Sequence, residues 1–234
     1  MINYFIYDGV NSRDFGVFIS GTQVFDAPAR SIDTVVVPGR NGTLTLDNNR
    51  FENVEMTYPA FIYDAFPVNI IGLRNFLLSS AGYRRLEDTY NPETYMMARY
   101  VSGLSVSPTD SRLEGEFDIT FDRMPQRFLK IGEHPQEFTA GGTIKNPTLF
   151  DARPMLRVYG TGSLGIGSET ITISTNPGYI DIDCQMMDAY YGATNCNSYI
   201  TLSSGNFPVL KPGDNGITLT SITKVIITPR WWYL

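Results

Sequence analysis

Asp181 and Asp183, two residues apart in the stretch YIDIDCQ, are the first residues whose spacing could do chemistry. On a strand that spacing sends both carboxylates out of one face, while Ile180, Ile182 and Cys184 turn to the other. A calcium site could begin this way, but calcium takes ~6 to 8 oxygen ligands, and the neighbourhood adds only Asp188. The pair therefore reads as a plain solvent face, and no metal is expected. Glu114 and Glu116 in RLEGEFDITF form a similar pair with the same explanation. A glycosidase needs its two carboxyls poised across a cleft, which neighbouring positions on one strand do not supply. His134 is the only histidine, so no His pair can hold a metal, and a Ser-His-Asp triad would rest on one residue followed directly by Pro135. No G-x-S-x-G elbow supports such a triad. His134 reads as a solvated loop residue, and no catalytic residue or cofactor is expected.

The stretch VVVPGRNGTLTL sets Pro38, Gly39, Arg40, Asn41 and Gly42 between two runs of strand-forming residues. It lacks the Lys-Ser/Thr pair and the following helix of a phosphate-binding Walker A loop. Asn41-Gly42-Thr43 fits the glycosylation pattern, which is idle without a secretory route. What remains is a turn, with contact to another subunit as its functional reading. Aromatic residues supply a different chemistry, stacking on sugar rings. Tyr190, Tyr191 and the terminal Trp231-Trp232-Tyr233 are the candidates, and at least one tryptophan is expected to seal a core.

These residues need elements to position them. NYFIYDGVNSRDFGVFISG reads as two short strands around an Asp8-Gly9 turn, and Thr34 to Val37 with Thr43 to Leu46 as a hairpin whose tip is PGRNG. NIIGLRNFLLSSAG is the one convincing helix, with Ile70, Leu73 and Leu77 on one face, Asn69 at its start and Gly82 past its end. Met96 to Val101, Leu104 to Val106 and Glu116 to Phe121 read as strands. Between Phe128 and Thr143 periodicity lapses in IGEHPQEFTAGGT, which marks the expected domain boundary. Strands resume at Met155–Tyr159, Thr170–Ser174, Tyr179–Cys184, Tyr199–Leu202, Ile217–Thr220 and Lys224–Thr228, a spacing that suggests a β-sandwich.

Composition agrees. Of 234 residues only 18% are charged, while 21 Gly and 14 Pro punctuate the chain at the intervals of a mainly β protein. Up to Ala140 there are 18 acidic and 12 basic residues, and beyond it 6 of each, so the net charge of −6 belongs to the first part. An acidic domain lacks the cationic footprint of nucleic-acid binding. Most of the cations are Arg, with Lys only at 130, 145, 211 and 224, a bias that fits protein interfaces as well as codon preference. MINYFIYDGV has no basic stretch leading into an apolar one, so no secretory signal is expected, and no apolar run approaches a membrane span. In the reducing cytoplasm expected for it, Cys184 and Cys196 read as small buried hydrophobes and not as a bridge.

Taken together, FIYDGVNSRDFGVFISG, PGRNGTL, IIGLRNFLLSSAGYRRL and FDITFDRMPQRFL, followed by NPTLFDARPMLRVYGTG, IDIDCQMMDAYYG, FPVLKPGDNGITL and ITPRWWYL, span nearly the whole chain. In their order and spacing the chain resembles the distal tail (Dit) proteins of siphophages that infect Gram-positive bacteria. The resemblance implies a mainly β, two-domain subunit. Residues 1–135 would form a β-sandwich-like ring domain with one short helix, and residues 136–234 a galectin-like or carbohydrate-module-like β-sandwich. It implies a homohexameric ring around the DNA channel at the distal end of the tail, assembled in the host bacterial cytoplasm and carried in the virion. The partners implied are further copies of the chain, the tail tube protein and the tail hub or tail-associated protein, with tape measure and receptor-binding proteins as further contacts. DNA would only pass through, and neither membrane, cofactor nor catalysis is implied. Pro38 to Gly42 would then be a hairpin tip at which ring subunits meet each other or the tube, with Arg40 able to grip a neighbour's carboxylate. Some relatives carry an arm or an extra carbohydrate module in the second domain, for which this chain has no room. The alternative reading is a carbohydrate-binding baseplate module that recognises the host cell wall through Tyr190 and Tyr191.

Overall fold

The computed structural model describes residues 2–21, 26–62, 65–108 and 114–234. They fall into two units, one of residues 1–127 with Leu234, the other Phe128–Tyr233.

The strands of the first unit are β1 (Phe5–Tyr7), β2 (Val10–Asn11), β3 (Val17–Ile19), β4 (Arg30–Val36), β5 (Thr43–Phe51), β6 (Val54–Ile62), β7 (Arg84–Asp88), β8 (Thr94–Tyr100), β9 (Ser107–Pro108) and β10 (Gly115–Leu129), whose last two residues belong to the second unit, with the helix α1 (Phe66–Ser79) between β6 and β7. The main sheet runs β2-β1-β7-β8-β10-β6-β3, with β9 beside β10. Alternation builds it. Along β6 Val54, Met56, Tyr58, Ala60 and Ile62 are buried between exposed neighbours, and β10 repeats the pattern with Phe117, Ile119 and Phe121. Phe5, Tyr7, Tyr58, Tyr100 and Phe121 meet in the core, covered by Phe66, Leu73 and Leu77 of α1.

The helix differs from expectation at its start. It begins at Phe66, with Ala65 as the residue before it and Pro67 in its first turn, so Asn69 is helical and not a cap. Proline suits the first turn because its missing N–H has no intrahelical partner there. Leu104 to Val106, expected as a strand, is irregular chain whose Leu104 and Val106 pack against the first core.

The second unit holds β11 (Gln136–Phe138), β12 (Gly142–Asn146), β13 (Met155–Tyr159), β14 (Gly162–Ile166), β15 (Glu169–Ile173), β16 (Ile180–Asp183), β17 (Asp188–Tyr191), β18 (Thr194–Asn195), β19 (Ile200–Leu202), β20 (Gly213–Thr220), β21 (Lys224–Thr228) and β22 (Trp232–Tyr233). One sheet runs β11-β21-β13-β16-β17-β18 and the other β12-β20-β14-β15-β19. Leu156, Val158, Ile180 and Ile182 of the first share one core with Leu164, Ile166, Ile171 and Ile217 of the second, which makes the unit a β-sandwich. Trp231 closes this core, and Cys184 and Cys196 are free and buried in it.

The boundary lies between Arg127 and Phe128, ahead of the one expected after residue 135. The stretch taken for a linker is folded. Leu129 N–H donates to Trp231 O at 2.8 Å and Arg230 N–H to Gly132 O at 2.8 Å, and β11 and β12 then join one sheet each. Gly132 is there for space, since a Cβ on it would lie 2.4 Å from the backbone nitrogen of Trp231.

Candidate functional site

The PGRNG loop closes a ribbon of two strands. β4 and β5 pair from Val36 opposite Thr43 to Arg30 opposite Phe51, with an irregularity between Arg30 and Ile32. Arg40 N–H donates to Val37 O at 3.2 Å, and Gly39 has φ +80°. Pro38 and Gly39 are thus the central residues of a type II turn, where proline presets φ and glycine accepts the positive value. Among the described residues no third strand joins the ribbon, whose side chains are nearly all exposed. Val35 faces Leu44 and Asp33 faces Leu46, so alternation puts Asp33, Val35, Leu44 and Leu46 on one face and Ile32, Thr34, Val36, Thr43 and Thr45 on the other. Val36 is 75% exposed and Leu46 52%.

A two-stranded ribbon is only marginally stable by itself. Here Arg30 clasps Asp47, with Nη2 to Oδ2 at 2.6 Å, and lies over the Phe51 ring. The hydrogen bond from Arg30 holds the Asp47 carboxyl below the usual carboxylate range. At the tip the Arg40 side chain is exposed and has no hydrogen bond or ion pair among the described residues.

The second candidate site is divided. Tyr190 and Tyr191 are adjacent on β17 and so point to opposite faces. Tyr190 is half-buried opposite Asp181. Tyr191, 38% exposed, meets Tyr179 edge-on at 4.8 Å, and Tyr179 in turn is 6.1 Å from Tyr159. Arg157 lies over the Tyr179 ring at 4.4 Å and Lys224 over Tyr159 at 4.8 Å. The sequence reading missed Tyr159 and Tyr179. Both flank strand positions whose neighbours, Val158 and Ile180, point inward, and that was the signal available.

Asp181 and Asp183 are not a solvent face. Both are buried, and each takes a bidentate arginine: Arg157 donates to Asp181 at 2.7 and 2.8 Å, and Arg230 to Asp183 at 2.8 and 3.0 Å. Burial pushes the Asp183 carboxyl upward, but Arg230 and the Met186 and Gln185 N–H groups outweigh it and hold it below the usual range. Among the described residues no group of three or more His, Cys, Asp or Glu could hold a metal. His134 is exposed at the end of a short helical turn, Lys130–Glu133. The second unit also has a cavity of about 290 Å³, lined by Arg153, Glu169, Phe207 and Lys211 among others. No residue singled out as a site faces it.

The Arg230 pair carries a prediction. Arg230→Ala leaves a buried carboxylate without its cation, held only by the Gln185 and Met186 N–H groups, and is expected to destabilise the second unit by about 3 kcal/mol. Arg157→Ala should cost less, because Arg157 is 44% exposed against 26% for Arg230. A lowered folded pKa means that the stabilisation is present above the unfolded carboxyl pKa and fades as pH falls through the folded one. Urea titrations across that acid range should show the wild type losing stability and Arg230→Ala losing less.

No protein-family model and no curated protein matches the sequence. Solved structures match the fold. The Dit protein (gp 19.1) of phage SPP1, described as a paradigm of the hub adsorption apparatus in Gram-positive-infecting phages, gives a TM-score of 0.76 at 15% identity, with 100% of both chains covered. The phage P2 baseplate in its activated conformation, solved with calcium and with strontium, gives 0.52 at 11% identity over 97% of both chains. At such identities the likeness is one of fold, over the full length of both chains for SPP1 Dit. This chain has the fold of the phage Dit protein.

Proposed function

We propose that the chain is a structural protein of a phage tail, a distal tail adaptor whose first unit closes a sixfold ring around the DNA channel and joins the tail tube to the tail-tip hub. The likeness to SPP1 Dit over the full length of both chains carries this reading. The exposed ribbon supports it, because a two-stranded element that no third strand joins among the described residues, and that exposes Val35, Val36, Leu44 and Leu46, is stabilised when a neighbouring subunit covers it. The acidic excess up to Ala140, 18 against 12, suits a channel that lets DNA pass without holding it. The galectin-like sandwich would sit outside the ring. The reading assigns no catalytic step.

Light scattering over a concentration series tests it. A mass near six copies is expected. A chain that stays monomeric at every concentration, alone and with its phage's tail tube protein, overturns the reading. Arg40→Ala is expected to weaken the ring and leave the folded subunit unchanged, since the Arg40 side chain has no hydrogen bond or ion pair among the described residues; an unchanged ring would remove Arg40 from the interface.

A second reading, a carbohydrate-binding baseplate module, is favoured by the exposed edge of Tyr191 against Tyr179. It predicts glycan binding by the monomer that Tyr191→Ala abolishes, measured by calorimetry against cell-wall fragments.

A further inference from the structure

The helix α1 buries one side and leaves an apolar stripe on the other. Val68 is 73% exposed, Ile71 49% and Leu78 62%. At 100° per residue these three and Asn75 fall within one band along the helix, and Arg74 flanks it beside Leu78. The Arg74 guanidinium is exposed and has no partner among the described residues. From Val68 to Leu78 the stripe runs ~15 Å.

The ribbon presents a surface of the same kind and opposite charge. Its Val35, Leu44 and Leu46 form an exposed apolar patch, with Val37 next along the chain toward the tip and Asp33 at the other end. From Asp33 to Val37 the face runs ~13 Å. Asp33 accepts a hydrogen bond from Asn48 at 3.3 Å and has no cation beside it among the described residues. Two exposed apolar surfaces of matching length, one with an arginine and the other with a carboxylate that each have no oppositely charged partner among the described residues, therefore lie on different elements of one unit.

We infer that in the assembled protein the ribbon of one copy lies across α1 of the next, its Val35, Leu44 and Leu46 on Val68, Ile71 and Leu78, with Asp33 reaching Arg74. This rests on the ring reading above and names the contact that closes the ring. A patch that fits a different patch on the same chain makes a head-to-tail interface, and head-to-tail interfaces generate rings when the rotation closes. A ribbon that paired with another ribbon would make a two-fold dimer instead.

Cross-linking of the assembled full chain tests the contact. Its native thiols are buried, and burial pushes that of Cys184 up to about 12, so both stay silent toward maleimides. Chains carrying Leu46→Cys with Ile71→Cys, or Leu44→Cys with Leu78→Cys, are treated with a short bis-maleimide after light scattering has established their mass. A covalent ladder reaching the full assembly is expected from these double variants and none from single variants. Charge reversal gives a second readout. Asp33→Arg and Arg74→Asp are each expected to raise the half-assembly concentration at least about tenfold, and the two together to restore it. A full-mass assembly without the ladder, and with no rescue by the double reversal, overturns the contact and leaves the ring standing. Dimers linked through Leu46→Cys alone overturn it in favour of ribbon-to-ribbon pairing. A wild-type chain that never assembles removes the ring and the contact together.

Discussion

Replacing Phe121 by alanine is expected to destabilise the first unit by about 3–5 kcal/mol. The side chain is fully buried in the middle of β10, and four rings touch it: Phe5 at 5.7 Å, Tyr7 at 5.0 Å, Tyr58 at 6.2 Å and Tyr100 at 5.8 Å. Three of these contacts are edge-on, with interplanar angles of 70–74°, the arrangement that aromatic quadrupoles favour. Truncation removes the ring from all four and leaves a cavity walled by side chains that β1, β6 and β8 hold in place, so little can collapse into it. A loss of that size is a large share of the ~5–15 kcal/mol that stabilises an ordinary domain. Because the ribbon and α1 belong to this unit, assembly should fail with it. The measurement is hydrogen exchange on β6 and β10 together with solution mass. Fluorescence of Trp231 and Trp232 reports on the other unit and should stay unchanged. A variant with wild-type exchange on both strands would mean that the cluster tolerates the hole.

What the sequence disclosed follows from the range of each interaction. Alternation is local, so Met155–Tyr159 and Lys224–Thr228 match the structure residue for residue, and the turn chemistry of Pro38-Gly39 locates the hairpin. Local reasoning placed the start of α1 at Asn69, because a capping side chain is a sequence signal, whereas the helix begins at Phe66 with Pro67 in its first turn and no side-chain cap. It turned Asp181 and Asp183 outward as strand alternation requires, and still missed their environment. Arg157 arrives from the neighbouring strand and Arg230 from near the chain end, 24 and 47 residues away. It paired Tyr190 with Tyr191 by adjacency, where alternation separates them and Tyr179 is the ring that meets Tyr191. It could place the ribbon's strands and not their exposure, because whether another strand joins them, as none does among the described residues, is a property of the whole sheet. The 128–143 stretch looked like a linker for the same reason: two short strands with partners far along the chain, Gly213–Thr220 and Lys224–Thr228, carry no periodicity of their own.

Gly162→Ala should have an effect as large, confined to the second unit. Gly162 opens β14, in the interior of the five-stranded sheet between β20 and β15. Its φ of +136° is one that L side chains rarely adopt, and a Cβ there would lie 2.1 Å from Thr220 O and 2.9 Å from Ser221 Cβ. Thr220 is backbone in a paired strand, so relief requires β14 and β20 to part, and strain adds to the lost pairing. A destabilisation of about 4 kcal/mol or more is expected, at the limit of what single substitutions produce. Gly178→Ala separates the two causes. Its φ is +138°, but nothing lies within 4 Å of the added methyl, so strain alone acts there and about 1–3 kcal/mol is expected. Urea unfolding followed by the fluorescence of Trp231, buried in this core, reads both. Equal losses would mean that the Thr220 approach does not matter. The Gly162→Ala chain also tests the division of labour between the units, since ribbon and α1 are untouched by it. Retained assembly with an unfolded sandwich assigns ring closure to the first unit, and loss of assembly would bring the second unit into the ring contact.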